Sequence, residues 1–361
     1  MEKYRVGIVG ATGMVGQRFI SLLKDHPWFE VNCVAASARS AGKTYREAVG
    51  ERWAFSWEIP EKVAGMTVVD AADINEVSKH VDFVFCAVDM KKDEIRALEE
   101  AYAKHEIPVV SNNSACRGIE DVPMVVPEIN ADHLAVIEAQ KKRLGTKNGF
   151  IAVKPNCSIQ AYTPALAAWK EFEPREVVVS TYQAISGAGK TFKTWPEMVD
   201  NVIPYIGGED EKSENEPLKL WGHVEDGKIV NATLPVISAQ CLRVACSDGH
   251  MAAVSVSFKK KPTIEQIKER WANYETEAQR LELPSAPKPF LQYFEDPSRP
   301  QTRLDRDFQN GFGVSIGRLR EDKLFDYRFV CLSHNTVRGA AGGGILTAEL
   351  LCRKGYIPHR V

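Results

Sequence analysis

The sequence lacks most of the features that assign a protein to a class at sight. Charge is nearly balanced, with 46 basic and 48 acidic residues among 361 and a formal net charge of -2. That excludes a general electrostatic grip on nucleic acid or on an anionic membrane, and leaves any anionic ligand to a few local cations. No apolar run approaches the roughly 20 residues needed to span a bilayer. The start, Met1-Glu2-Lys3-Tyr4-Arg5, enters a strand pattern with no charged-then-apolar leader, so the expected location is the cytoplasm. None of the eight cysteines (33, 86, 116, 157, 241, 246, 331 and 352) forms a Cys-x-x-Cys pair, so no metal site is expected. In a reducing compartment most of them are small buried hydrophobes. There is no internal repeat and no low-complexity segment.

What is present is alternation. Residues 4–10, 31–36 and 82–88 read as buried strands, with an amphipathic run around Val15, Phe19, Ile20, Leu22 and Leu23 after the first. Residues 92–104 read as a helix and 108–110 open another strand. This order predicts an α/β fold with a Rossmann-like, doubly wound parallel sheet. After about residue 150 the strand signals lengthen, as in 177–184 and 251–258, and predict a second, α+β domain. The stretch 204–219 is polar and carries glycine, so it reads as a surface loop or a short helix entrance. Near the end, Gly339–Gly344 leads into a helix over 345–351.

Gly10-Ala-Thr-Gly13-Met-Val-Gly16 sits at the first strand-turn-helix junction. Glycines so spaced let the backbone turn tightly and approach a pyrophosphate, while the helix N-terminus offers free N–H groups. The candidate cofactor residues here are Gly10, Thr12, Gly13, Met14, Val15 and Gly16. A site for NAD places Asp or Glu after the second strand to take the ribose 2′-OH. This chain instead has Ser37-Ala38-Arg39-Ser40, an arginine with two hydroxyls and no carboxylate, which suits a 2′-phosphate and predicts NADP.

The segment Phe150-Ile-Ala-Val-Lys-Pro-Asn156-Cys157-Ser158 reads as a strand that delivers a cysteine to the start of a helix over 159–172, with a kink at Pro164. A helix N-terminus stabilises a thiolate, the reactive form, and a thioester is a good acyl carrier. Cys157 is the candidate nucleophile. His250, in Gly249-His250 before the strand 251–258, is the candidate acid/base, since imidazole titrates near neutrality.

These pieces together resemble the aspartate-semialdehyde dehydrogenase family, above all its archaeal and fungal branch, over nearly the whole chain. The motifs are Gly-Ala-Thr-Gly-Met-Val-Gly, Ser37 to Lys43, Pro155-Asn156-Cys157-Ser158, Tyr182-Gln183-Ala-Ile-Ser186-Gly187-Ala-Gly189, Arg243 with His250 seven residues on, and Asn335-Thr336-Val-Arg-Gly339-Ala. The resemblance implies NADPH-dependent reduction of L-aspartyl-4-phosphate to aspartate semialdehyde through a Cys157 thioester, in amino-acid biosynthesis. It implies that Gln183 helps hold the acyl group, with Asn156 beside it. Arg243 would pair with the substrate carboxylate and Glu209 with its amine, while Arg117 and Lys212 would bind phosphate. Ser186, Gly187 and Asn335 would lie near the nicotinamide. Residues 1–154, joined by a returning helix in 335–361, would bind NADP. Residues 155–334 would carry catalysis and the interface of a homodimer or homotetramer.

The substrate so implied carries an amine, a carboxylate and a phosphate, and Glu209, Arg243, Arg117 and Lys212 form a matching charge set. The chain departs from the family in having Val244-Ala245-Cys246 where Pro-Val usually follows the arginine. Three other readings stay open: a malonyl-CoA reductase with the same thioester chemistry, an N-acetylglutamyl-phosphate reductase, and a catalytically silent NADP-binding sensor.

Overall fold

A computed structural model describes residues 2–359; Met1, Arg360 and Val361, which fall within the expected cofactor-binding unit, lie outside the described residues. Six strands, β1 (Tyr4–Val9), β2 (Phe29–Ala36), β3 (Val69–Asp70), β4 (Phe83–Cys86), β5 (Val109–Ser111) and β6 (Ile151–Val153), form one sheet in the order β3-β2-β1-β4-β5-β6. Every pairing is parallel. The order reverses between β1 and β4, which opens a crevice at the carboxyl ends of these two strands. Helix α1 (Met14–Leu23) follows β1, and α2 (Lys92–Lys104) follows β4. Near-continuous apolar strands such as Phe83-Val-Phe-Cys86, buried at every position, are what a sheet covered on both faces requires.

A mixed sheet follows. Its strands are β7 (Pro174–Gln183), β8 (Val202–Ile203), β11 (Val236–Val244), β12 (His250–Phe258), β13 (Leu291–Phe294), β14 (Val314–Glu321) and β15 (Tyr327–Ser333), in the order β13-β14-β15-β12-β7-β11-β8. A small hairpin of β9 (His223–Glu225) and β10 (Lys228–Val230) stands apart. One hydrophobic core runs between the two sheets, joining Val84, Val109 and Val153 to Trp169, Val254 and Phe329.

Two sequence expectations fail locally. Residues 159–172 do not form one helix but two single 3-10 turns flanking α3 (Thr163–Ala167). Pro164 begins α3 instead of kinking a longer helix, because its missing N–H is costless in a first turn. Of the two readings of 204–219, the surface loop fails and the helix entrance is too short: Glu209–Leu220 is a twelve-residue helix, α4. Pro217 inside it leaves the Ser213 carbonyl without its helical donor, and the Tyr162 hydroxyl donates to that carbonyl at 2.7 Å instead.

The chain ends in α5 (Gly342–Arg353), which is buried at every position from Gly342 to Cys352 and packs against Phe19, Phe85 and the rest of the core on the outer face of the first sheet. Its one acid, Glu349, is fully buried and satisfied by His26 Nε2 at 2.8 Å and by the Ser285 backbone N–H at 3.0 Å. A π-turn, Val337–Ala341, connects β15 to α5. Within it Arg338 makes a two-pronged, fully buried pair with Glu128, at 2.5 and 2.6 Å, locking the returning segment onto the loop after β5.

Candidate active site

The cofactor crevice is shaped by three glycines with three different constraints. Gly10 has φ +90°, and a Cβ there would lie 2.3 Å from the Ala87 carbonyl oxygen just past β4. A Cβ on Gly16 would lie 2.3 Å from the Gly10 oxygen, so α1 packs on the loop only with glycine at that point. Gly13 is exposed, and a Cβ there would meet nothing nearer than 3.5 Å. The first two sites demand glycine for packing; the third leaves bare backbone facing outward, the approach a pyrophosphate needs. Gly13 caps α1 with no side-chain hydrogen bond, so the first-turn N–H groups keep their capacity for an anion. Thr12, Met14 and Val15 lie on the same turn, each half-buried. Ser37, Arg39 and Ser40 lie on the turn after β2, next to β1, with Ser37 and Arg39 exposed to solvent. The residues fit a dinucleotide with a 2′-phosphate.

The candidate reacting groups meet at one end of the second sheet. β7 and β11 are parallel neighbours whose last paired residues are Gln183 and Arg243, and β12 runs back between β7 and β15 with His250 as its first residue. Cys157 comes from the loop between β6 and the first 3-10 turn. Its Sγ is 3.4 Å from His250 Nε2. His250 Nδ1 accepts the Ala184 N–H at 3.1 Å. That pattern assigns the proton of neutral imidazole to Nε2, where it points at the sulfur. Burial, reinforced by the positive charge of Arg243, pushes His250 down to about 3, so the ring is neutral across the physiological range.

The expectation that a helix end would stabilise the Cys157 thiolate is not met. A single 3-10 turn follows Cys157, which sums almost no dipole. Burial pushes the thiol up, Glu209 adds to the effect, and Lys154, Arg117 and Arg243 oppose it. In the free chain the pair is a neutral thiol beside a neutral imidazole.

Around the pair the structure brings together the charges read from the sequence. Glu209 is buried and accepts from Asn156 Nδ2 at 2.9 and 3.0 Å, from Lys212 Nζ at 2.7 Å and from Gln183 Nε2 at 3.3 Å. Burial would raise this carboxyl, but Lys212 and the amide donors outweigh it and leave the group below its ordinary value. Of the three adjoining acids only Glu209 turns inward; Asp210 accepts the Cys241 N–H of β11 at 2.8 Å. Arg243 is buried and donates to the Ala184 carbonyl at 2.7 Å. The departure at Val244-Ala245-Cys246 does not displace it. Asn335 ties the ends together, accepting from the Gly249 N–H at 2.8 Å and donating to Ser186 Oγ at 2.9 Å. A Cβ on Gly187 would lie 2.8 Å from Arg243 Nη1 and 3.0 Å from His250 Nε2, so a larger residue there would displace these side chains. A Cβ on Gly339 would lie 2.8 Å from that of Cys157 and 3.1 Å from its Cα, an approach that only glycine allows without a backbone shift.

Arg117 and Lys212 line one cavity of about 280 Å³, with Lys92, Ser114 and Glu216. Neither cation is free in this chain: Arg117 pairs with Glu216 at 2.9 Å and Lys212 with Glu209. Sequence reasoning missed Glu216 and Lys219, whose Nζ donates to the carbonyls of Arg117, Ile119 and Val122 at 2.7, 2.7 and 3.0 Å. Glu209, Lys212, Ser213, Glu216 and Lys219 recur at three- and four-residue steps along one face of α4, a signal hidden by reading the segment as loop. It also missed Lys154, a lysine at the end of an apolar strand. It is fully buried, donates to the Pro155 carbonyl, and is pushed down to about 7 by burial and by Arg117.

Comparison with known proteins decides the family. Residues 5–137 match the family model "Semialdehyde dehydrogenase, NAD binding domain", and residues 165–338 match "Semialdehyde dehydrogenase, dimerisation domain". An aspartate-semialdehyde dehydrogenase of Aspergillus fumigatus is 43% identical over 98% of this chain and 99% of its own length. The chain belongs to the aspartate-semialdehyde dehydrogenase family. A second relative of that name, from Archaeoglobus fulgidus, is 42% identical over 98% of this chain and 100% of its own. The crystal structure of aspartate semialdehyde dehydrogenase with NADP from Candida albicans superposes with a TM-score of 0.88 at 38% identity, covering 99% of this chain and 100% of that one. Fungal and archaeal family members thus stand at similar distances from it.

Proposed function

We propose that the chain is an NADP-dependent aspartate-semialdehyde dehydrogenase that interconverts L-aspartyl-4-phosphate and L-aspartate 4-semialdehyde plus phosphate. The observation that carries the proposal is Cys157 Sγ at 3.4 Å from a buried His250, with an inward acid, Glu209, and an inward arginine, Arg243, at the same sheet end.

In the reductive direction Cys157 attacks the acyl carbon of the acyl phosphate, and its thiol proton passes to the departing phosphate, because Nε2 of His250 already carries a proton. The C–S bond forms, the bond from carbon to the phosphate oxygen breaks, and phosphate leaves. NADPH supplies the hydride that converts the resulting thioester to aldehyde as the C–S bond breaks. His250 holds its Nε2–H toward the sulfur, where it stabilises the thiolate and the oxyanion that develops on the adjacent carbon. Gln183 and Asn156 hold Glu209 and flank the acyl group. Glu209 receives the substrate ammonium, and Arg243 receives the α-carboxylate on its planar fork. An ammonium on Glu209 also offsets the charge that most opposes thiolate formation, so substrate helps activate its own nucleophile. Arg117 and Lys212 take the phosphate. Gly10, Thr12, Gly13, Met14, Val15 and Gly16 cradle the pyrophosphate, Ser37, Arg39 and Ser40 the 2′-phosphate, and Ser186, Gly187 and Asn335 the nicotinamide end.

The inward carboxylate of Glu209 favours an amino-acid substrate over malonyl-CoA, which offers it no cation. The deciding assay is NADP reduction with aspartate semialdehyde and phosphate, set against reduction of malonyl-CoA. Phosphate-dependent turnover that disappears in Cys157→Ala supports the proposal; turnover with malonyl-CoA alone overturns the substrate.

Residues 1–154 with 335–361 are taken as the cofactor unit and 155–334 as the catalytic one. A dimerisation domain makes the protein an oligomer. The finer reading is a homodimer or homotetramer joined through the outer face of β7 and β11, where Val178, Tyr182 and Val236 stand exposed beside Val202 and Tyr205. No described helix is long and apolar enough to cross a membrane. A cytoplasmic setting is part of the proposal, supported by eight free cysteines.

A further inference from the structure

Glu216 has no part in the reaction written above, yet both its oxygens are engaged at the centre of the site. One accepts Arg117 Nη1 at 2.9 Å; the other accepts the backbone N–H of Asn156, the residue before the nucleophile, at 2.5 Å. Arg117 and Glu216 side chains are each only 11% exposed. Arg117 spends a second donor on the Asn112 carbonyl at 3.3 Å, and its buried Nε has no partner. The pair borders the cavity of about 280 Å³ that also holds Ser114, Lys92 and Lys212. A phosphate entering that cavity meets an arginine whose charge is already matched by a carboxylate of the protein.

We propose that Glu216 is an internal anion that competes with phosphate for Arg117 and links the phosphate's arrival and departure to the Asn156–Cys157 loop. It is a positioning residue that acts through Arg117 and touches no reacting atom. While phosphate is absent, Glu216 holds Arg117 and the loop together. A bound phosphate draws donors of Arg117 away from it, and the nearby carboxylate weakens phosphate binding, so that the leaving group departs after acyl transfer. The Asn156 N–H gives the competition a route to the nucleophile, because the same residue's side chain holds Glu209 and its backbone leads directly to Cys157. The inference rests on the reading of Arg117 as a phosphate ligand.

The test uses the intact enzyme in the oxidative direction, with inorganic phosphate and aspartate semialdehyde varied separately. Glu216→Gln keeps the shape and an acceptor for the Asn156 N–H but removes the charge. Its KM for phosphate is expected to fall about fivefold or more, the low end of ordinary coupling between sites, while the KM for semialdehyde changes little. Glu216→Asp, which restores the charge, should return phosphate affinity toward the original. A purely structural role would damage kcat and both KM values together without ever tightening phosphate, and that result, or an unchanged phosphate KM, overturns the proposal. Should Glu216→Gln fail to fold, Glu216→Ala provides the same readout, since any folded neutral variant must bind phosphate more tightly. Arg117→Gln separates the two claims. If it leaves phosphate KM unaltered, the reading of Arg117 fails. If it raises phosphate KM while Glu216→Gln lowers nothing, the Glu216 proposal alone fails.

Discussion

On the cofactor side of the cleft the chain presents backbone: three glycines, an uncapped helix start and an exposed arginine after β2. On the substrate side it presents charged side chains, most of them buried and already joined to one another, as Glu209 is to Lys212, Asn156 and Gln183, and Arg117 is to Glu216. The first half is pre-shaped and open. The second is pre-paired, so under the proposed function a substrate exchanges its own charges for internal ones. A backbone cradle tolerates changes in surrounding side chains but no added Cβ at Gly10 or Gly16. A paired charge set fails by degrees, because each partner lost leaves another uncompensated.

The sharpest break is expected at the sulfur. Cys157→Ala should cut kcat by on the order of 10⁴-fold or more while leaving NADP binding intact, as measured by fluorescence titration. Retained phosphate-dependent turnover would remove Cys157 from the reaction. His250→Asn should lower kcat by about 10² to 10⁴-fold; an effect confined to KM would contradict its role at the sulfur. On the other side, Gly10→Val should abolish NADP binding and lower the melting temperature, because its φ of +90° and the Ala87 carbonyl leave no room for a side chain. Normal cofactor affinity in a folded variant would refute this account of the cradle. Arg39→Ala is milder: loss of a charge-assisted contact of about 1.5 kcal/mol should raise the KM for NADP roughly tenfold and leave that for NAD nearly unchanged.

Proton linkage gives the smallest and most specific test of the buried side. Because burial holds Lys154 down to about 7 from an ordinary 10.5, the unfolded chain carries a proton between those values that the folded chain lacks. Stability from this group therefore rises with pH across that window and is flat below it. Lys154→Met should flatten the rise in melting temperature between pH 7 and 10.5. For activity, the raised Cys157 thiol predicts a kcat/KM that climbs into the alkaline range, with no limb from His250 near its usual 6.5. A limb near neutrality that vanishes in His250→Asn would contradict the neutral pair.

The asymmetry also explains what could be read without coordinates. The cofactor side is local: Gly10 to Gly16 and Ser37 to Ser40 carry their meaning within a few residues, and so did the strands that align them. The candidate substrate groups could be named through motif resemblance, but their mutual pairing could not. Glu216 meets Arg117 across 99 residues and Arg338 meets Glu128 across 210. The acid-rich run of α4 looked like solvated surface because its charges recur on a face turned toward other charges instead of toward apolar neighbours. The short turn after Cys157 was misread because Pro164 both starts and limits the helix there, and with that went the supposed source of thiolate stability.

The buried final helix has a consequence for how the molecule is made. β1 and α1 leave the ribosome first, yet Phe19 and Phe85 lie against α5, more than 250 residues later in the chain than either. A chain synthesised from its N-terminus must hold that apolar surface uncovered until its last segment emerges. Nascent chains stalled before residue 342 should therefore be captured by apolar-binding chaperones and digested by protease within the first sheet, while release of the remaining residues restores protection.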